Sequence, residues 1–401
     1  MDNPYFEKLK VDKQTLGVEL AVLSDSKDLL FDFAAATWSL ICEPGDTIAG
    51  LLRSTLGFEE SLLQVVSGVT AKEIAKELRE YSNALDVEQA IANKLEVWRS
   101  RALQGDVYQC FQSLRQLGGK LITSQSEYWP KQLDDLGSGS PPALWFMGDI
   151  QHFRNLYNSV AVVGSRVCSD YGVQATKDIV KNLVQSGQPI VSGGALGIDA
   201  VAHQAAISNR GTTVAVMAGG LDRLYPDQNI ELFKEIAKTG LLISEVAPGV
   251  FPTKWRFLQR NRLIAALSCA TVVIEAGVRS GTINTVGHAN ELGRPVGAVP
   301  GPITSVRSAG CHQLIKDGRA QLLSIPSDLR DLCGDNEYFE KPFESLSQWE
   351  VRALDSLGTQ PKSIREISKY SGLSSFEAET GLAKLAKAGL ASHTSNGWLK
   401  H

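Results

Sequence analysis

From Ser159 onward one pattern repeats: a short, unbroken apolar run, a turn of small residues, then a stretch of helical period. The runs fall at 160–163, 190–191, 213–217, 241–243, 271–274, 296–299 and 321–323. Segments of helical period, such as 171–185, 198–207, 229–238, 261–267 and 282–292, separate most of them. A strand that is apolar without alternation is buried on both faces, and helices between strands supply the crossovers that parallel pairing needs. The pattern predicts an α/β core, a parallel sheet covered by helices on both sides.

Ligands of such sheets bind at the carboxyl ends of the strands. Those ends are rich here in glycine and small hydroxyls. Val163 leads to Gly164-Ser165-Arg166, Val191 to Ser192-Gly193-Gly194, Ile274 to Glu275-Ala276-Gly277 and then Ser280-Gly281-Thr282, and Val299 to Pro300-Gly301. Glycine lets a backbone come close to a phosphate, and a following helix N-terminus offers free N–H groups and a positive dipole end. Several such turns on one rim suit a polyphosphate strand or a nucleotide. A dinucleotide fold would need GxGxxG after the first strand and an acid ending the second. The chain has Gly164-Ser165-Arg166-Val167-Cys168-Ser169 and Ser192-Gly193 there, and no P-loop motif anywhere, so neither NAD binding nor P-loop ATP hydrolysis is expected. His203 and His288 fall inside helical segments without a partner at triad or ligand spacing, and read as packed residues. Asp199 and Glu275 stand near strand ends, where capping or holding a backbone or an arginine is the simpler role. No catalytic set, metal site or cofactor is expected.

The segment from Lys254 to Arg262 is the strongest local signal. It carries four cations and two aromatic rings in nine residues, and no Asp or Glu occurs from Val246 to Ile274. Cations beside flat rings suit single-stranded nucleic acid, whose phosphates meet Lys and Arg while its bases stack. The plain alternative makes Trp255 and Phe257 core residues and the arginines a solvated helix face. With a net charge of -4, any nucleic-acid surface must be a patch. The six cysteines are scattered, none at CxxC spacing, and are expected to be reduced and mostly buried. The most apolar run, 271–276, is far too short to span a bilayer. The first residues resemble no secretory signal. A cytoplasmic protein without membrane contact is expected.

Flanking regions complete the layout. Residues 1–117 read as a helical domain of the helix-hairpin-helix or sterile-alpha-motif kind, lacking a basic Gly-rich hairpin. Residues 118–333 hold the core, entered through a short strand at 121–123 and a proline-broken appendage. A polar, acidic linker covers 334–346. Residues 347–401 read as three helices and a hairpin, a winged-helix-like domain. Ser374-x-x-Glu377 is a capping box, Gly389 a helix stop and Asn396-Gly397 the hairpin turn. The third helix opens with Glu377 and Glu379, which favours a protein contact or weak DNA contact. For self-association, Leu232, Phe233, Leu241 and the helix at Leu263 offer apolar patches.

Taken together, the motifs resemble the DNA-processing protein A (DprA/Smf) family. They are Gly164-Ser165-Arg166…Ser169-x-Tyr171-Gly172, Ser192-Gly193-Gly194-Ala195-Leu196-Gly197-Ile198-Asp199-x-x-Ala202-His203, and Gly219-Gly220-Leu221-Asp222…Tyr225-Pro226. They continue through Ser244-Glu245, Phe257-x-x-Arg260-Asn261-Arg262-Leu263-Ile264-Ala265, Glu275-Ala276, Ser280-Gly281-Thr282 and Val299-Pro300-Gly301. The resemblance implies an extended Rossmann-like core that binds single-stranded DNA with little sequence preference. It implies a homodimer that helps load a RecA-type recombinase in natural transformation, without hydrolytic activity. Some relatives carry a winged helix. By motif, Arg166 and Lys254 are the implied phosphate contacts, and Phe257 lies beside a base. Gly164, Ser165, Ser192 and Gly193 are implied donors to phosphates. Arg260 and Arg262 are further candidate cations, unless one pairs internally with Glu275 or Glu245. Two departures stand out: Asn284 where many relatives have an apolar residue, and Asp227 beside Tyr225-Pro226, where a cation would have aided a phosphate path. Two alternatives share the chemistry of the rim. A nucleotide N-glycosidase of related fold would need a catalytic Glu where Thr285 stands, and a small-nucleotide sensor would use the same cradles.

Overall fold

In the computed structural model of the protein, the apolar runs become strands of one nine-stranded sheet. They are β1 (Lys120–Ile122), β2 (Leu144–Gly148), β3 (Val160–Val163), β4 (Ile190–Ser192), β5 (Thr213–Met217), β6 (Leu241–Ser244), β7 (Ala270–Val273), β8 (Val296–Ala298) and β9 (Gln321–Leu322). Their spatial order is β1-β2-β6-β5-β4-β3-β7-β8-β9. From β6 to β9 every neighbouring pair is parallel. The first two strands are not: β1 pairs antiparallel with β2, and β2 with β6. The sheet is therefore mixed at one edge, where the sequence suggested only an appendage. The reason is the connection. Between β2 and β3 runs only the 3-10 segment Ile150–Asn158, and without a crossover helix the chain reverses direction.

The structure describes residues 5–79, 87–324, 326–333, 348–358, 360–387, 390–394 and 397–400. They divide into two units, Met1–Phe339 and Glu340–His401. The linker expected at 334–346 lies outside the described residues, as do Gly389 and Asn396.

Burial explains the unbroken apolar strands. Successive residues of β3 point to opposite faces. Val160 and Val162 pack with residues of helices Asp170–Gln185 and Ile198–Ser208. Ala161 and Val163 pack with Leu263 to Leu267 of helix Lys254–Leu267. A third core joins the N-terminal helices to the sheet. Leu16, Trp38, Trp98 and Phe111 share it with Trp145, Ala215, Leu242 and Phe233. Polar contacts tie the same seam: Trp145 Nε1 donates to Ser39 Oγ at 3.0 Å, Thr123 Oγ1 to Asp32 at 2.7 Å, and Arg53 Nη2 to the Ser140 carbonyl at 3.0 Å. The helices from Tyr5 to Gln116 are thus built onto the sheet. Of the apolar residues considered for self-association, Phe233, Leu241 and Leu263 are fully buried in these cores and offer no surface.

Helix Lys254–Leu267 inverts the plain reading of its segment. Trp255 stays 57% exposed, while Arg260 and Arg262 are buried. Arg262 makes a bidentate pair with Glu245, at 2.6 and 2.7 Å, and its other donors reach the Gly139 carbonyl at 2.9 and 3.1 Å. This is the internal ion pair left open by the sequence, with Glu245 as partner, so Arg262 is spent inside the fold. Nearly two turns earlier, Arg256 Nη2 meets Glu43 Oε1 at 2.9 Å, and Arg101 meets the same oxygen at 2.6 Å. Burial opposes ionisation of Glu43, but the hydrogen bonds from Arg256 and Arg101 outweigh it and hold the carboxyl below its ordinary range.

The smaller unit has helices Gln348–Ser356, Ile364–Ser371 and Ser375–Lys387, then strands Ala391–Thr394 and Gly397–Lys400 paired antiparallel. Its core gathers Ala353, Ile367, Leu373, Ala378, Leu382 and Leu385. The capping box forms as read: Ser374 N and Oγ both donate to Glu377 Oε2 at 2.8 Å, and Glu377 N donates back to Ser374 Oγ at 3.3 Å.

Removing one member of a buried ion pair strands the other charge. Glu245→Ala should destabilise the larger unit by about 3–5 kcal/mol, seen as a lower urea midpoint. A Glu245→Leu/Arg262→Met double replacement should recover most of that loss. Equal midpoints for Glu245→Ala and the native chain would contradict the pair's role.

Candidate nucleic-acid interface

Parallel pairing brings the carboxyl ends of β3, β4, β5, β6 and β7 to one rim. A cleft of about 940 Å³ opens there. Its walls include Gly164, Ser165 and Arg166 after β3, Tyr225 after β5, Phe251 after β6, Lys254 and Phe257 on the long helix, and Arg279, Ser280 and Asn284 after β7. Arg166 and Lys254, far apart in sequence, therefore face one space.

The rim is organised around a buried cation. Arg260 Nη1 donates to the carbonyls of Gly193, at 2.6 Å, and of Val216. It thereby ties the turn after β4 to β5. A Cβ at Gly193 would sit 2.5 Å from the guanidinium nitrogen, so a larger residue there would displace Arg260. Asp199 completes the knot, accepting from Gly193 N at 3.2 Å and Ala195 N at 3.4 Å, and from the backbone of Gly164. Burial pushes the Asp199 carboxyl up, against the pull of the Arg260 charge and the three backbone donors. Burial also pulls Arg260 down to about 10, with Asp199 opposing and Arg166 adding to the shift.

These bonds sort the residues named from sequence. Ser192 is fully buried and its hydroxyl donates to the Val162 carbonyl at 2.7 Å. Gly193 N is taken by Asp199. Neither is free to donate to a ligand, and both serve the turn's geometry instead. Arg260, 6% exposed, borders the cleft from beneath and acts on the carbonyls rather than on solvent. Arg262 lies outside the cleft, in its pair with Glu245. Gly164 and Ser165 are half-buried and reach the cleft. Ser165 Oγ donates within its own turn to the Val167 carbonyl at 2.9 Å. Arg166 and Lys254 are exposed, and no ion pair to either is present among the described residues.

Phe257 links the two halves of the rim. The guanidinium carbons of Arg166 and Arg260 lie 5.7 and 5.8 Å from its ring centre, and the Tyr225 ring meets it at 5.7 Å with planes 60° apart. Cation–π attraction thus positions Arg166, the exposed member, over a ring fixed by the buried one. On the far side Glu275 fastens the turn after β3, accepting from Ser169 N at 3.0 Å and Ser169 Oγ at 2.5 Å. Asn284, the departure noted from sequence, accepts from Asn261 Nδ2 at 3.1 Å. The sequence reading passed over Arg279. Its signal was available: a lone cation in the small-residue strand end Gly277-Val278-Arg279-Ser280-Gly281.

Among the residues lining the cleft, Asp199 is the sole carboxylate, against Arg166, Lys254, Arg260 and Arg279. Thr285, buried, stands where a glycosidase would need its acid. No cluster of three or more His, Cys, Asp or Glu side chains able to hold a metal ion occurs among the described residues. No helix among them is long and apolar enough to cross a membrane.

The mostly parallel sheet, with glycine turns and cations on its carboxyl rim, defines an α/β protein of Rossmann-like fold. Comparison with known proteins is specific. The family described as DNA recombination-mediator protein A matches residues 120–333, and the chain belongs to it. It is 40% identical over 303 residues to the putative DNA processing protein DprA of Mycobacterium tuberculosis, covering 71% of this chain and 78% of that one. It is 33% identical over 298 residues to protein Smf of Escherichia coli, covering 72% and 79%. The X-ray structure of DNA processing protein A from Streptococcus pneumoniae superposes with a TM-score of 0.61 at 30% identity, covering 77% of this chain and 99% of that one.

Beneath the rim, His203 is fully buried, Nδ1 facing Thr213 Oγ1 at 2.7 Å and Nε2 without a partner. Burial, helped by the Arg260 charge, lowers it from 6.5 to about 3. Between those values the unfolded chain binds the extra proton, so stability contributed by neutral His203 is complete above pH 6.5 and is lost as pH falls toward 3. Asp199, raised on folding, acts with the opposite sign. His203→Leu should flatten the loss of urea stability from pH 7 down to 4.5. An unchanged acid slope would contradict this assignment.

Proposed function

We propose that this chain binds single-stranded DNA along the carboxyl rim of its sheet and delivers it to a RecA-type recombinase as a mediator of DNA recombination. One observation carries the reading: Arg166 and Lys254, without ion-pair partners among the described residues, face a single cleft together with exposed or half-buried rings. Arg279 adds a third exposed cation on the β7 side. A phosphate chain passing through meets Lys254, Arg166 and Arg279 in turn, while unpaired bases find apolar faces. Duplex DNA hides its bases and presents two backbones, which suits the cleft less well.

Binding without catalysis fits the same walls. Asp199 has its carboxylate occupied by backbone donors, which leaves the cleft without a free carboxylate for N-glycoside cleavage. The recombinase role rests on membership of the recombination-mediator family and on the names of its relatives. A second copy of the chain and the recombinase are the partners this reading assigns. The smaller unit is assigned an accessory contact, since its third helix exposes Phe376, Glu379 and Ala383 beside Lys384, whose charge is paired with Glu350 at 3.3 Å.

Each phosphate contact on a single strand contributes about 0.7 to the slope of log K against log salt. Arg166→Ala and Lys254→Ala should each weaken binding of a labelled oligonucleotide, regardless of its sequence, and each should lower the slope by about that amount. Fluorescence anisotropy across a salt series reads both. Unchanged affinity and slope in both variants would place the strand elsewhere.

A further inference from the structure

The cleft is not uniform along its length. At the β7 end its walls are polar: Arg279, Ser280 and Asn284. At the β5/β6 end they carry two rings absent from the sequence-derived site, Tyr225 and Phe251, 50% and 61% exposed. Large rings so exposed contribute little to any core, and their burial awaits something that comes to them.

Both are held in place. Gly220 N donates to the Val250 carbonyl at 2.9 Å, and Gly249 N to Asp222 Oδ1 at 2.8 Å, so the loops after β5 and β6 form one piece. Arg256 Nη1 donates to the Phe251 carbonyl at 2.7 Å while its other donors grip Glu43. The N-terminal helices therefore anchor this loop. The Arg223 guanidinium lies 4.5 Å from the Phe251 ring centre and covers one side of it. Tyr225 rests edge-on against Phe257. Each ring thus has one side braced within the protein.

Charge at this end differs as well. Asp222 lies 3.2 Å from Arg223, and Asp227 is exposed just after Tyr225-Pro226. Asp222 is offset by Arg223 and by Gly249 N, which leaves Asp227 as the acid that disfavours a phosphate there. It does not disfavour the face of a neutral base. The acid that looked out of place on a phosphate path marks where the path presents bases instead.

We propose that Tyr225 and Phe251 form a preset base-stacking platform at the β5/β6 end of the cleft, taking the unpaired bases of a strand whose phosphates lie on Lys254, Arg166 and Arg279. The proposal rests on the reading of the cleft as a single-strand site. Stacking uses the face common to every base, so the platform distinguishes unpaired from paired DNA and not one sequence from another.

The test compares a thymidine oligonucleotide with an abasic one of equal length, by anisotropy on the full chain over a salt series. The native protein should prefer the base-bearing strand. Tyr225→Ala/Phe251→Ala should lose roughly fivefold or more of that affinity, with abasic binding and salt slope unchanged. Tyr225→Phe/Phe251→Tyr, which keeps both rings, should behave as native. Thermal melting of all variants should match the native chain, since both side chains are exposed. An equal fall on both oligonucleotides, or none on the base-bearing one, would overturn the platform while leaving the cleft as the binding site. If the native chain binds neither oligonucleotide, the cleft reading fails and the platform with it.

Discussion

A guanidinium with almost no access to water holds the rim together. Arg260 is drawn beneath the strand ends, where it satisfies the carbonyls of Gly193 and Val216 and answers the charge of Asp199. Burying a charge is costly unless hydrogen bonds and an opposite charge compensate. Here the compensation comes from the two turns that must be fixed if a ligand is to meet a ready-made surface. Asp199 in turn binds backbone N–H groups of both turns, so the strand ends of β3, β4 and β5 are tied together. The ring of Phe257 passes that rigidity outward to Arg166.

The helix that carries this cation also divides labour among its charges. Lys254 faces the cleft, Arg256 goes to Glu43 in the turn between helices Leu29–Ile41 and Thr47–Leu56, Arg260 goes under the rim, and Arg262 pairs with Glu245. Only the first of four is left for a ligand. The others fasten the helix to three different neighbours, which is why a segment that looks like a basic surface stripe is mostly internal scaffolding. The N-terminal helices gain a purpose from this arrangement. Through Glu43 they hold Arg256, and through Arg256 they hold the backbone of Phe251.

The sheet was legible because strands buried on both faces have no freedom to be polar: residues 160–163 and 271–274 announce themselves without alternation. The mixed edge was less so. β2 differs from its parallel neighbours only in how the chain reaches it, and direction is a property of the connection rather than of the strand's own residues. The sequence named Arg166, Lys254 and Phe257, and the fold brings these three to one cleft. What sequence alone leaves undecided is which atoms are already used. Ser192 and Gly193 have the right chemistry for phosphate, yet their donors are consumed by Val162 and Asp199. Arg260 and Lys254 stand on one helix with the same sign of charge, and only packing separates the buried one from the exposed one. Tyr225 and Phe251 line one cleft from two different loops, an arrangement that no spacing along the chain expresses.

Hydrogen–deuterium exchange of the full chain, with and without a single-stranded oligonucleotide, reads the central claim directly. Slower exchange in the bound state is expected at the turns 164–169 and 279–285 and in the segment 249–257, which the fold brings to one rim. Protection confined to 348–400, with those three stretches exchanging as in the free protein, would contradict it.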